Sequence, residues 1–319
     1  VQLNNIYIMK VAYYEENNYH TEILGVFLYY CQMNTINMIV YNDSDKSEYI
    51  DYYKKIHNFE LKKIDEIKKE YDEYDYIILG TSYSVDRIKD IYSKIYSKMI
   101  PVCHLKENIV SDQQCIILTP LNVKNASCNY ILPIHNFNPD TSIQKKKNIF
   151  TLVGRFKDNN RDTDDLINSL SKCNSQNYEV HLYARHVKFI PKRIFEYSTQ
   201  NPSKLKIFLK TKTAILEKRI KESKFLLTLV SKNSYYHNDR LSGVIPLAFN
   251  YNVPLIMDKN LNNIYGFSSC LTYDNSLSEI LEYAIEMSED VYNSKIKDVM
   301  CEKNIIVNKN NITLSKMLK

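Results

Sequence analysis

Phe150-Thr151-Leu152-Val153-Gly154-Arg155-Phe156 carries an apolar, strand-forming run into a glycine and an arginine, and Arg161 follows six residues after Arg155. An amphipathic pattern beginning at Asp164 predicts a helix just beyond. Strand, glycine, two arginines and helix start make a cradle for a diphosphate. Glycine lets backbone approach an anion, the helix N-terminus presents unpaired N–H groups, and guanidinium groups neutralise charge through paired hydrogen bonds. Gly154, Arg155 and Arg161 are therefore candidate donor-binding residues. The plainer alternative is a solvated arginine pair on an ordinary loop.

A second constellation is Asp239-Arg240-Leu241-Ser242-Gly243, which precedes an apolar helix and then Val253-Pro254-Leu255-Ile256-Met257. Asp239 or Ser242 could cap that helix. The same acceptors suit ribose or sugar hydroxyls, which adds Arg240, Ser242 and Gly243 to the binding candidates and Asp239 to the catalytic ones. A third lies near the start, where Tyr13-Tyr14-Glu15-Glu16-Asn17-Asn18-Tyr19-His20 turns from a strand toward a helix. His20 beside Glu15, Glu16 and Glu22 has the make-up of a general base with acidic neighbours, so His20 and Glu16 are catalytic candidates. A helix-cap or surface histidine is the alternative. No glycine separates this strand from Gly25, which argues against a dinucleotide fingerprint and reduces Asp43 to a loop carboxylate. Asp43-Ser44-Asp45 spells a metal-type DxD by chance, His104 reads as a core residue, and His135 and His237 read as loop histidines.

These turns need a framework, and the chain supplies one twice. Strand-like runs at Lys10–Tyr14, Asn37–Tyr41, Tyr76–Leu79, Ile100–His104, Cys115–Leu118 and Tyr130–Pro133 alternate with helical stretches near 20–32, 47–56, 61–71 and 85–97. Such alternation predicts a parallel sheet. A polar, aperiodic segment between Pro133 and Ile149 reads as a linker, after which the pattern restarts. Ile149–Val153, Glu179–Tyr183, Leu205–Leu209, Phe225–Val230, Pro254–Met257 and Cys270–Tyr273 are the later strands, and 277–299 is a long helical region followed by a less regular tail from Lys303. The expected division is an acceptor-side domain over 1–140, a donor domain over 141–290, and a C-terminal helix or tail over 291–319 that could recross to the first domain.

At 319 residues the chain has room for two cores. No run of about 18 apolar residues occurs, so no spanning helix is expected. The net charge of +5 is uneven: residues 1–147 carry 17 basic and 19 acidic side chains, residues 148–319 carry 25 and 18. An anionic ligand belongs on the second half, while the mildness of the balance argues against nucleic acid. Seven scattered cysteines, never spaced CxxC, suggest neither a disulfide framework nor a zinc site, and point to a cytoplasmic protein with reduced thiols. Because the chain opens Val1-Gln2-Leu3, with Met9 just before the first strand, it reads as one domain region of a longer polypeptide.

On the residues Ile149–Leu170 and Ser223–Ile256, and on Tyr130-Ile131-Leu132-Pro133, the chain resembles family 4 glycosyltransferases of the GT-B type. In that family a strand ends in Gly-Arg and a later lysine touches the diphosphate; Arg161 takes the lysine's place here. The family's paired glutamates would fall on Asp239 and Leu247, and its glycine before the strand proline on Asn252. The acid-base pair opening the helix also resembles the Glu-Lys pair of fucosyltransferases. The resemblance implies two Rossmann-like domains with parallel sheets, an interdomain cleft, and metal-independent transfer of a sugar, such as a hexose, from a nucleotide-sugar to a glycan or other hydroxyl acceptor. No cofactor beyond that co-substrate and no metal is implied. A nucleotide-sugar 2-epimerase of the same fold and a non-catalytic sugar- or nucleotide-binding module are the alternatives.

Overall fold

The computed structural model describes residues 8–17, 21–43, 48–80, 86–109, 113–120, 128–136, 148–157, 159–238 and 240–319. The chain divides into two compact units, Val1–His135 with Asn308–Lys319, and Asn136–Val307.

The first unit contains β1 (Lys10–Tyr14), α1 (Leu24–Met33), β2 (Asn37–Tyr41), α2 (Glu48–Ile56), β3 (Glu60–Lys62), α3 (Ile67–Glu70), β4 (Tyr76–Leu79), α4 (Tyr92–Ile95), β5 (Met99–Cys103), β6 (Cys115–Ile117) and β7 (Cys128–Tyr130). The strands form one parallel sheet in the order β3-β2-β1-β4-β5-β6-β7. Val11, Ala12, Tyr13 and Tyr14 are all buried, the continuous apolar run that a parallel strand covered on both faces requires. Ala12, Tyr14, Ile39 and Tyr41 share one core with Ile64, Ile67, Ile77 and Ile88, while Tyr13 packs on Phe27 with ring centroids 5.6 Å apart.

Two helices expected from the sequence are not formed as such. Over 61–71 the chain instead adds the short edge strand β3, paired to β2, and then winds through brief helical turns. The charged side chains that suggested a helix surface serve an exposed sheet edge equally well. Glu70 takes hydrogen bonds from Tyr41 Oη and Lys62 Nζ, both at 2.6 Å. Within 85–97, the described residues form the turn Asp86–Ile88, then α4, then the turn Tyr96–Lys98. The last strand lies at Cys128–Tyr130, slightly before the expected place.

The second unit contains β8 (Ile149–Val153), α5 (Thr163–Lys172), β9 (Glu179–Ala184), α6 (Lys192–Gln200), β10 (Leu205–Leu209), α7 (Thr213–Lys221), β11 (Phe225–Leu227), α8 (Val244–Asn250), β12 (Leu255–Asp258), α9 (Lys259–Tyr265), β13 (Leu271–Tyr273) and α10 (Ser278–Glu286); α11 (Glu289–Met317) begins in it. Its strands pair in parallel in the order β10-β9-β8-β11-β12-β13. Phe150 and Phe225 stack across β8 and β11 with centroids 5.7 Å apart. The turn before β12 holds Asn252 at φ 53, so the backbone needs a left-handed residue there and asparagine supplies it. The tail expected to be irregular is helical through Met317. Its end is fastened within the first unit, where Asn310 Nδ2 donates to the Leu132 carbonyl at 2.6 Å and Tyr30 Oη to Ser315 Oγ at 3.1 Å. Among the described residues no helix is long and apolar enough to cross a membrane.

Candidate functional site on the carboxyl edge of the second sheet

In the second sheet β8 and β11 are neighbours although far apart in sequence, with β9 and β10 on one side and β12 and β13 on the other. Loops leaving the carboxyl ends of these two strands diverge, which opens the crevice where open α/β sheets bind ligands. Gly154 follows β8 with φ 125, a backbone conformation that side chains disfavour. Among the described residues a Cβ there would meet only Arg161 Nη2, at 3.7 Å, so the demand for glycine is conformational. Leu229, two residues beyond β11, sits at φ 45, a strained value for a bulky residue.

Arg161 explains why that strain is held. It bridges to Val230 in antiparallel fashion, and Asp162 N–H donates to the Leu229 carbonyl at 3.0 Å. The Arg161 guanidinium is 3% exposed and donates to the Thr228 carbonyl at 2.5 Å and to Ser242 Oγ at 3.2 Å. It lies 4.9 Å from the Tyr236 ring centroid. Burial lowers its pKa, partly offset by Tyr236 and Tyr273. Among the described residues no carboxylate pairs with it. Arg161 thus locks the β8 and β11 loops together and leaves a buried positive charge under the crevice.

Arg155 is exposed in the turn and stacked 4.9 Å over Phe189. Lys188 and Lys157 place their Nζ atoms 5.4 and 5.8 Å from the same ring. Next to them Arg185 follows β9 and Lys210, at φ 51, follows β10; with His186, Val187, Lys188 and Leu209 they line a hollow of ≈ 400 Å³. Arg240 stacks 4.9 Å over Tyr235, so consecutive tyrosines of one short turn each support an arginine. Like charges gathered on one edge raise each other's energy, and an anion relieves it.

The expected helix contribution differs in detail. Asp162 caps α5 by accepting from Asp165 N–H at 3.0 Å, so the positive end of that helix faces its own carboxylates and the anion cradle rests on arginine. Gly243 occupies the N-cap of α8 with no side-chain cap, and Ser242 turns its buried hydroxyl to Arg161 instead. Asp239 lies outside the described residues.

Asp258, Tyr273 and His237 complete the edge beyond β12, and sequence reasoning missed the first two. Asp258 Oδ1 caps α9 through Leu261 N–H at 3.0 Å, while Oδ2 is buried and has no hydrogen-bond partner among the described residues. Burial raises its pKa, with His237 acting the other way. The signal was available: charged residues at the carboxyl end of a parallel strand, Asp258 as the last residue of β12 and Arg185 and Lys210 one step past β9 and β10, are where such sheets place their chemistry.

In the first unit the equivalent edge lies between β1 and β4. Glu15 is 1% exposed, Glu16 accepts from Tyr14 Oη at 2.6 Å, and Gly80 N–H donates to the Tyr14 carbonyl at 2.7 Å. A Cβ on Gly80 would lie 2.2 Å from Glu15 Oε2. His20 lies outside the described residues, as do Ser44 and Asp45; Asp43 pairs with Arg87 and accepts from Ile64 N–H at 3.0 Å, a structural duty.

No protein-family model and no curated protein sequence matches the chain. Solved structures do match over nearly its whole length. HepE of Anabaena, solved with UDP and glucose, has a TM-score of 0.69 at 11% identity, covering 97% of this chain and 99% of that one. A glycosyltransferase of Rickettsia africae has a TM-score of 0.66 at 11% identity, with 98% of each chain covered. A UDP-forming trehalose-phosphate synthase of Burkholderia xenovorans, solved with glucose-6-phosphate, gives 0.63 at 8% identity, over 97% and 99%. The two parallel-sheet α/β domains are therefore those of the GT-B glycosyltransferase fold.

Proposed function

We propose that the protein transfers a sugar, a hexose in the first instance, from a nucleoside-diphosphate sugar to an acceptor hydroxyl, in the manner of family 4 glycosyltransferases. The observation that carries this reading is the cationic carboxyl edge of the second sheet, where Arg155 is exposed at a glycine turn above the buried charge of Arg161. Solved structures of the same fold hold UDP or UDP-glucose, which supports a uridine nucleotide as the first probe.

In this reading Arg155, Arg240 and the backbone at Gly154 meet the diphosphate. Arg161 is a positioning residue that fixes the Thr228 and Ser242 loops and adds its field. As the sugar leaves, charge grows on the diphosphate, and preorganised cations stabilise that change without a metal ion. Asp239, preceding Arg240, contacts the donor sugar, and His20 with Glu16 removes the acceptor proton. A panel of UDP-, GDP-, ADP- and TDP-sugars incubated with candidate hydroxyl acceptors tests the proposal. Release of nucleoside diphosphate together with a glycosylated product is the expected result. An epimerised sugar nucleotide, or binding without any release, would overturn it.

A further inference from the structure

Cys103, Cys115 and Cys128 stand at one side of the first sheet, on the adjacent parallel strands β5, β6 and β7. Cys115 and Cys128 are register partners, and their Sγ atoms are 3.1 Å apart. Cys103 donates its thiol to the Asn108 carbonyl at 3.3 Å and takes a hydrogen bond from Cys115. Paired residues on neighbouring strands have Cα atoms about 4.8 Å apart, inside the range a disulfide spans, and an S–S bond of about 2.05 Å needs only about 1 Å of further approach. Cys103 and Cys115 are buried, whereas Cys128 is half-buried on the edge strand. Buried thiols usually act as small apolar groups. Three of them converging, with two in register and one reachable from solvent, is a different arrangement.

We propose that Cys115 and Cys128 form a reversible thiol–disulfide site, oxidised by a small disulfide such as oxidised glutathione. The Cys128 sulfur, having given its proton to water, attacks one sulfur of glutathione disulfide and expels a glutathione thiolate, which takes up a proton. Cys115, losing its proton, then attacks the Cys128 sulfur of that mixed disulfide, forming the Cys115–Cys128 bond and expelling the second glutathione as a thiolate that takes up the proton. Two protein thiols are oxidised and one glutathione disulfide is reduced to two thiols. Burial pushes the Cys128 thiol up to about 12, so exchange at neutral pH is slow and the equilibrium is the quantity to read.

Trypsin separates the three cysteines into peptides 99–106, 107–124 and 125–145. The native chain is equilibrated in a glutathione redox buffer, quenched with acid, alkylated and digested. The expected result is a linked pair of 107–124 with 125–145, at least tenfold above any other pairing. It persists in Cys103→Ser, vanishes in Cys128→Ser, and loses its preference when the chain is oxidised in guanidinium. Scattered pairing in the native chain, or Cys128 recovered only as free thiol or glutathione adduct, would overturn the proposal. None of these outcomes depends on sugar transfer.

Discussion

The two sheets of this protein present the same architectural opening with opposite chemistry. At the β1/β4 edge of the first unit stand Glu15, Glu16 and a close-packed Gly80; on the carboxyl edge of the second sheet stand Arg155, Arg161 and Arg240 by β8 and β11, with Arg185 and Lys210 after β9 and β10. The fold provides a crevice in both places, and the side chains decide which can hold an anion. On the proposed function, binding falls to the second unit and proton chemistry to the first. It also matches the charge of the sequence, 25 basic against 18 acidic side chains over 148–319.

The largest effect expected from breaking this division is in the first unit. His20→Ala should lower the turnover number by roughly 10² to 10⁴, the usual worth of a general base, while the UDP dissociation constant stays within twofold. Steady-state kinetics with calorimetry separates the two, and a lost UDP affinity would place His20 in the wrong role. Next, Arg155→Ala should weaken UDP by about 10- to 100-fold, the worth of a charged hydrogen bond, with an unchanged melting temperature because the side chain is exposed. A fall in melting temperature with intact affinity would make Arg155 structural.

The interiors contrast as well. Lys303 is buried in the second unit, its Nζ donating to the Asn250 carbonyl at 3.3 Å, and burial lowers its pKa from 10.5 to about 8. Between these values the unfolded chain binds more protons than the folded one, so stability rises with pH from about 8 to 10.5 and the cost of the buried charge is fully present below 8. Lys303→Met should abolish that rise and add about 1 to 3 kcal/mol at pH 7. His57 of the first unit works in the acid range: burial lowers it from 6.5 to about 4, so stability is lost as pH falls through that window. Denaturant unfolding across pH checks both signs.

The smallest effects come from paired glycine changes. Gly80→Ala drives a Cβ to 2.2 Å from Glu15 Oε2 and should cost about 1 to 3 kcal/mol. Gly243→Ala meets nothing within 4 Å among the described residues and should stay within about 0.5 kcal/mol. Equal costs would show that the two edges are equally packed.

Much of the fold is written locally. Lys10–Tyr14, Asn37–Tyr41, Ile149–Val153 and Leu205–Leu209 are strands at the expected bounds, because long apolar, β-branched runs have one good home in a parallel sheet. The short edge strand β3 was not legible, since Glu60-Leu61-Lys62 owes its conformation to pairing with β2. Helix α9 is legible in principle, from Asp258 as its N-cap and Gly266 as its stop, but its two turns are too short to show a helical period. At the site, Gly154 and Arg155 were visible as a strand-ending pair. That Arg161 turns inward to Thr228 and Ser242 depends on the neighbouring β11 loop, which no spacing between the three reveals. The tyrosines under Arg161 and Arg240 were hidden for the same reason, in a sequence so rich in tyrosine.

Hydrogen exchange on the full chain with and without UDP tests the central claim most directly. Slowed exchange of backbone amides in 153–157, 185–189 and 240–244 is expected, with those at 15–17 and 80 unchanged. Protection confined to the first unit, or none at saturating UDP, would contradict it.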